Sequence, residues 1–192
     1  MQRVGIYGGS FDPVHCGHMI LALDAVEQLR LARLHLVPAA ANPFKRDATM
    51  TDGAHRIAML RLAAAGSPRL LVDDRELRRG GVSYAVDTAR ELRADYPQAE
   101  LILLIGEDNA TGLESWHRFD ELRGLVRFAA FPRADAPGPP DTGGVELVGR
   151  QVDISSTEIR ARVRERRSVR YLLPEAVHDY IESHRLYLAP DD

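Results

Sequence analysis

Residues 101–105 read Leu-Ile-Leu-Leu-Ile, an apolar run without a polar break, closed by Gly106. A run of this kind has no solvent face, so it fits a central strand of a parallel sheet covered by helices on both sides. Shorter apolar runs at 4–7, 34–37, 70–72 and 126–131 alternate with helical stripes. One stripe covers 17–29, with Ile20, Leu21, Leu23, Val26 and Leu29 on its apolar side. A second covers 52–65, capped by Thr51, with Ile57, Met59, Leu60 and Leu62 as core candidates. Further helices are predicted over 84–96, from Ser155 onward and over 175–184, and short strands over 145–148 and 152–154. Strands alternating with helices specify an α/β fold: a Rossmann-like doubly wound parallel sheet of about five to six strands, with a small C-terminal helical segment near 155–188. The chain has 192 residues, which one domain spanning 1–192 accommodates.

Sheets of this class bind ligands beyond the carboxyl ends of their strands, near a switch in strand order. The chemistry is therefore expected just after Tyr7, Val37 and Ile105. Residues 39–51 show no clear period and contain Asn42-Pro43, which makes them a candidate lid. Residues 132–144, PRADAPGPPDTGG, read as a surface loop. The formal net charge of −3 argues against a general nucleic-acid binder, which needs a basic surface. The arginines within 160–170 read chiefly as a solvated helix face. Cys16 is the single cysteine, so no internal disulfide forms, as suits a reducing cytosol. The start of the chain lacks the apolar core of a secretory signal, and no run approaches the roughly 18 apolar residues of a membrane span. The expectation is a soluble, cytoplasmic protein without a membrane or nucleic-acid partner. A homo-oligomer is compatible with the sequence, which does not fix the oligomeric state.

Residues 8–18 read GGSFDPVHCGH. Gly8 and Gly9 let the chain turn sharply after the first strand and bring main-chain N–H groups close to a ligand. His15 and His18 share one face of the following helix's first turn. Free N–H donors and partial positive charge at a helix start suit phosphate, and two imidazoles add donors. The motif is neither GxGxxG nor a Walker loop, because it lacks GK[ST]. His15, Cys16 and His18 could also ligate a metal, though no second ligand cluster accompanies them. A glycine turn with two incidental histidines is the bland alternative. Residues 154–160, ISSTEIR, supply a second helix start. There Ser155 and Glu158 fit a capping box, and Ser155, Ser156 and Thr157 offer hydroxyls. Arg160 can act as a phosphate clamp, or can be a surface residue on a well-capped helix.

GGSFDPVHCGH resembles the (T/H)xGH signature of the adenylyl- and cytidylyltransferase superfamily, and ISSTEIR resembles its second signature. NPFK (42–45), HRIAML (55–60), SYAVDTARELR (83–93), SWHRF (115–119), FPR (131–133) and the closing HRLYL resemble the nicotinate-nucleotide adenylyltransferase branch, over nearly the whole chain. That resemblance implies AMP transfer from ATP to nicotinate mononucleotide, giving nicotinate adenine dinucleotide and pyrophosphate in NAD biosynthesis. It implies that His15, His18 and Arg160 are catalytic. ATP would be bound by Gly8, Gly9, Ser10, Phe11, Gly106, Asp108, Ile154, Ser155, Ser156 and Thr157, with Asp108 near the ribose. The acceptor would be bound by Lys45, Tyr84, Ala85, Trp116, His117 and Arg133: Trp116 stacks on the nicotinate ring and the His117 main-chain N–H receives its carboxylate. Mg²⁺ would be carried on the ATP phosphates, with no metal site of the protein's own. Two departures bear on the acceptor. Phe44 stands where the family has His in PPHK, and Ala85 stands where it has Thr in SYT. Nicotinamide mononucleotide, phosphopantetheine and a flavin mononucleotide therefore stay as alternative acceptors, and a non-catalytic ATP-binding regulatory module is the non-enzyme alternative.

Overall fold

The computed structural model of the chain describes residues 1–41, 50–132 and 145–189. Its strands are β1 (Arg3–Gly9), β2 (Arg33–Pro38), β3 (Leu70–Val72), β4 (Glu100–Gly106), β5 (Arg127–Phe131) and β6 (Glu146–Leu147). They form one sheet in the order β3-β2-β1-β4-β5-β6, and every neighbouring pair is parallel. The chain winds outward from β1 to β3, crosses back, and winds the other way from β4 to β6. The order therefore reverses between β1 and β4, and their carboxyl ends flank a crevice.

Period-two alternation sends the strand side chains into two separate cores. Tyr7, Ile102 and Leu104 face the helices α1 (Cys16–Gln28), α2 (Gly53–Ala64), α6 (Ser156–Arg164) and α7 (Glu175–Ser183), where Ala22, Met59, Leu60, Ile159 and Val177 are buried. Val4, Ile6, Leu101, Leu103 and Ile105 face α4 (Ala85–Asp95) and α5 (Phe119–Leu125) through Val86, Ala89, Leu92 and Leu122. Residues 101–105 of β4 are apolar without a break because each of them is buried in one core or the other. No helix among the described residues is long and apolar enough to cross a membrane.

The structure departs from the sequence reading in several places. Asp52, not Thr51, caps α2, its carboxylate accepting from the Ala54 N–H at 2.7 Å. Thr51 is engaged elsewhere, its own N–H donating to Asp12 Oδ2 at 3.1 Å. The buried stripe of α2 runs through Arg56, Met59, Leu60 and Ala64, leaving Ile57 half-buried and Leu62 exposed. Residues 152–154 form no strand and approach α6 as coil, while β6 is confined to two residues. α3 (Arg75–Arg79), a 3-10 helix (Glu107–Ser115) and α5 were not predicted. Elements this short complete too few turns to leave a periodic signal.

Candidate active site

Gly8 and Gly9, expected to form a turn, are instead the last residues of β1, paired with Val37 and Pro38 of β2, and both line the crevice. Phe11 follows with φ 47°, a left-handed conformation unusual for a bulky residue. Its ring is held in the core, edge-on to Tyr7 at 5.5 Å and to His18 at 5.0 Å between centroids. Phe11 can therefore meet a nucleotide only through its main chain.

His15 caps α1. Its Nδ1 accepts from the His18 N–H at 3.3 Å, and His18 Nδ1 accepts from the His15 N–H at 3.2 Å. The two imidazoles thus close a reciprocal capping box normally built from Ser or Thr with Glu or Gln. The rings stack with centroids 3.7 Å apart and planes 29° apart. Both Nδ1 atoms accept, so each neutral ring carries its proton on Nε2. A pair of N–H donors is thereby fixed at a helix start. Gly17 keeps them there: a Cβ at that position would lie 3.0 Å from His15 Nδ1 and 3.1 Å from Val152 Cγ1. Gly17→Ala is expected to tilt the His15 ring and lower kcat about tenfold, while its thermal midpoint changes little, because small misplacements in a positioned site are costly. Steady-state pyrophosphate release beside a melting curve checks this.

α6 brings the second motif onto the same loop. Ser156 Oγ donates to the Pro13 carbonyl at 2.9 Å, and Arg160 Nη1 donates to the Asp12 carbonyl at 2.7 Å. Ser155 Oγ accepts from the Glu158 N–H at 3.1 Å, while the Glu158 carboxylate faces Arg162 at 3.5 Å. Of the hydroxyls expected to meet phosphate, Ser156 donates its proton to the loop, whereas Ser155 caps the helix as an acceptor and that bond leaves its O–H donor unspent. Thr157 is exposed, and its Oγ1 lies 3.4 Å from Arg160 Nη2. Ile154 packs half-buried against the first core. Cys16 anchors its end of the loop through its N–H, which donates to the Leu172 carbonyl at 2.8 Å, and burial pushes its thiol pKa up.

Three residues without an assigned role in the sequence reading hold this assembly. Arg56 is buried, with Nε donating to the Thr51 carbonyl (2.9 Å) and Nη1 to the carbonyls of Ser10 (2.9 Å) and Ala39 (2.8 Å). It ties the turn after β1, the end of β2 and the approach to α2. Desolvation lowers the guanidinium pKa, opposed by the charge of Asp12. Asp12 is buried, and its Oδ1 accepts from the Tyr187 hydroxyl at 2.7 Å. Arg56 carried a readable signal, since its spacing from Met59 and Leu60 puts it on the inward stripe of α2. Asp12 and Tyr187 carried none, because 175 residues separate them.

Beside the histidine loop lies a cavity of about 460 Å³, bounded by the carboxyl ends of β1 and β4 and the start of α4. Gly8, Gly9 and Gly106 form its floor near the loop, and Tyr84, Ala85, Trp116 and His117 line its far side. The Tyr84 and His117 rings stack at 4.1 Å. Asn109 lines the cavity, whereas Asp108 is exposed on the 3-10 helix. Glu76 is buried in the wall, accepting from the Thr88 hydroxyl at 2.5 Å; burial raises its pKa against the opposing bonds from Thr88 and Ser83. Lys45 and Arg133 lie outside the described residues, as does Phe44.

A family model described as cytidylyltransferase-like matches residues 6–162. A protein of Gemmatimonas aurantiaca, named a probable nicotinate-nucleotide adenylyltransferase, is 46% identical over 196 residues, spanning 97% of this chain and 92% of that one. One of Shouchella clausii with the same name is 41% identical over 189 residues, spanning 97% of each. Among solved structures, the Plasmodium falciparum nicotinic acid mononucleotide adenylyltransferase complexed with NaAD has a TM-score of 0.79 at 18% identity, over 97% of this chain and 98% of that one. At that identity the likeness is one of fold.

Proposed function

The chain belongs to the cytidylyltransferase-like family, in its nicotinate-nucleotide adenylyltransferase branch, and from that premise we infer that it transfers AMP from ATP to nicotinate mononucleotide. A phosphate oxygen of the acceptor attacks the α-phosphorus of ATP in line. The bond from that phosphorus to the β-phosphate bridging oxygen breaks, and pyrophosphate leaves. The acceptor phosphate is already anionic, so no side-chain nucleophile is needed. Catalysis rests on positioning and on stabilising charge. The observation that carries this reading is the meeting of two helix starts, α1 and α6, on the loop after β1, which brings Arg160 onto the loop that leads into the stacked His15–His18 pair. The cavity itself is lined by Gly8 and Gly9 at the end of β1, not by these three side chains.

In this reading His15 serves the α-phosphate, where charge develops, and His18 and Arg160 hold the leaving pyrophosphate. Gly8, Gly9 and the main chain of Ser10 and Phe11 lie against the triphosphate, and Gly106 and Asp108 lie toward the adenosine. The donor set consists of N–H and O–H groups, while the Asp12 carboxylate already accepts from Thr51 and Tyr187. Such a set fits phosphate oxygens better than a cation, so Mg²⁺ would be held through ATP rather than by protein ligands. When bound, the ion neutralises phosphate charge and acts as a Lewis acid. The single cysteine and ATP as substrate favour a cytoplasmic setting.

The cavity takes the acceptor's ring, with Trp116 as the stacking partner of an electron-poor pyridine. Trp116→Ala is expected to raise the KM for nicotinate mononucleotide about tenfold, the size of a lost aromatic stack, and to leave the KM for ATP unchanged. Equal shifts in both constants would move the ring site elsewhere. Ala85 brings no hydroxyl to the start of α4, so acid and amide acceptors are compared directly. Pyrophosphate release is measured with ATP, Mg²⁺ and, in turn, nicotinate mononucleotide, nicotinamide mononucleotide, phosphopantetheine and flavin mononucleotide. The expected result is turnover highest with nicotinate mononucleotide. ATP binding with no release for any acceptor would support a regulatory module instead.

A further inference from the structure

The geometry points to Tyr187 as a positioning residue for Arg160, acting through Asp12 from the far end of the chain. The inference rests on the reading above, in which Arg160 grips the leaving pyrophosphate. Asp12 is the junction. Its carbonyl accepts from Arg160 Nη1 at 2.7 Å, its Oδ2 from the Thr51 N–H at 3.1 Å, and its Oδ1 from the Tyr187 hydroxyl at 2.7 Å. Among the described residues, the further hydrogen-bond contact of the Arg160 side chain is to Thr157 Oγ1 at 3.4 Å, which is long for a hydrogen bond. The direction of the guanidinium therefore depends on where the Asp12 carbonyl sits. That carbonyl is set by a carboxylate pinned from two sides, by the approach to α2 and by the segment after α7.

The backbone after α7 is shaped to deliver the phenol. Arg185 and Tyr187 adopt φ values of 52° and 66°, both in the left-handed region. Non-glycine residues reach that region at a cost that the surrounding structure must hold in place. Burial raises the Tyr187 pKa well above its ordinary value, opposed by a hydrogen bond with the Thr51 side chain, reinforced by the Asp12 carboxylate, and opposed again by the charge of Arg160. The phenol therefore stays a donor to Asp12 across the neutral range. A long cationic side chain fixed in advance loses less freedom when substrate arrives, and its contribution then appears in turnover.

Tyr187→Phe removes only the hydroxyl. It is compared with Arg160→Ala and with the double variant by kcat, the KM of ATP, the KM of nicotinate mononucleotide and the thermal midpoint. The expected result is a fall in kcat of about 10- to 100-fold for Tyr187→Phe, an unchanged acceptor KM, and a double variant no slower than Arg160→Ala alone. A wild-type kcat for Tyr187→Phe, or losses that multiply in the double variant, would overturn the proposal. A wild-type rate for Arg160→Ala would overturn the assignment of Arg160 itself, a separate failure. Should Tyr187→Phe lose its cooperative melting transition, Asp12→Asn carries the same comparison. It keeps an oxygen for one of its two donors, and the same absence of further loss on top of Arg160→Ala is expected.

Discussion

His15→Ala is expected to lower kcat by on the order of 10²- to 10³-fold, the loss typical when one preorganised donor to a transition-state oxygen is removed. The variant also loses the α1 cap, since His15 Nδ1 accepts from the His18 N–H, which costs about 1 kcal/mol of stability. His15→Asn separates the two effects. Asparagine is a good cap and offers an oxygen where Nδ1 accepts. It supplies no donor at the position of Nε2. The Asn variant should melt like the parent and turn over as slowly as the Ala variant. Recovery of rate together with stability in His15→Asn would show that His15 acts only as a cap.

Arg56→Met is expected to destabilise the protein by about 3 kcal/mol, because three carbonyls, that of Ala39 buried, lose a charged donor. These are the carbonyls of Ser10, Ala39 and Thr51. Methionine fills much of the volume, so the loss reports hydrogen bonding rather than a cavity. A urea midpoint lowered with unchanged slope is the expected signature. A midpoint within experimental error of the parent would mean that water satisfies those carbonyls equally well.

β4 was legible because burial on two faces demands a continuous apolar run, as residues 101–105 supply, whereas the short run at 152–154 suggested a strand that does not form. α1 was legible as a helix but its buried face was not: Ile20 and Leu23 of the expected stripe are exposed, while Ala22, Asp24 and Ala25 are buried beside Val26. The pairing of His15 with His18 was legible from their spacing. The cap of α2 was misplaced by one residue because Thr51 and Asp52 are both good caps. Only the tertiary bond from the Thr51 N–H to Asp12 decides between them. Ser155 and Ser156 are expected at the ATP phosphates from the resemblance of ISSTEIR to the superfamily's second signature. Which hydroxyls stay available depends on α6 docking against Pro13, a contact across 143 residues. The same limit hid Asp12 and Tyr187. Local pattern carries no information on which distant donor a buried carboxylate will meet.

Among the described residues the six strands lie between residues 3 and 147, whereas the residues that close on the loop after β1 come from α6 and from the segment after α7. During synthesis on the ribosome the scaffold's strands therefore all emerge before Ser156, Arg160 and Tyr187 are made. A nascent chain can thus assemble its sheet before the residues that close on the loop after β1 have been added to it.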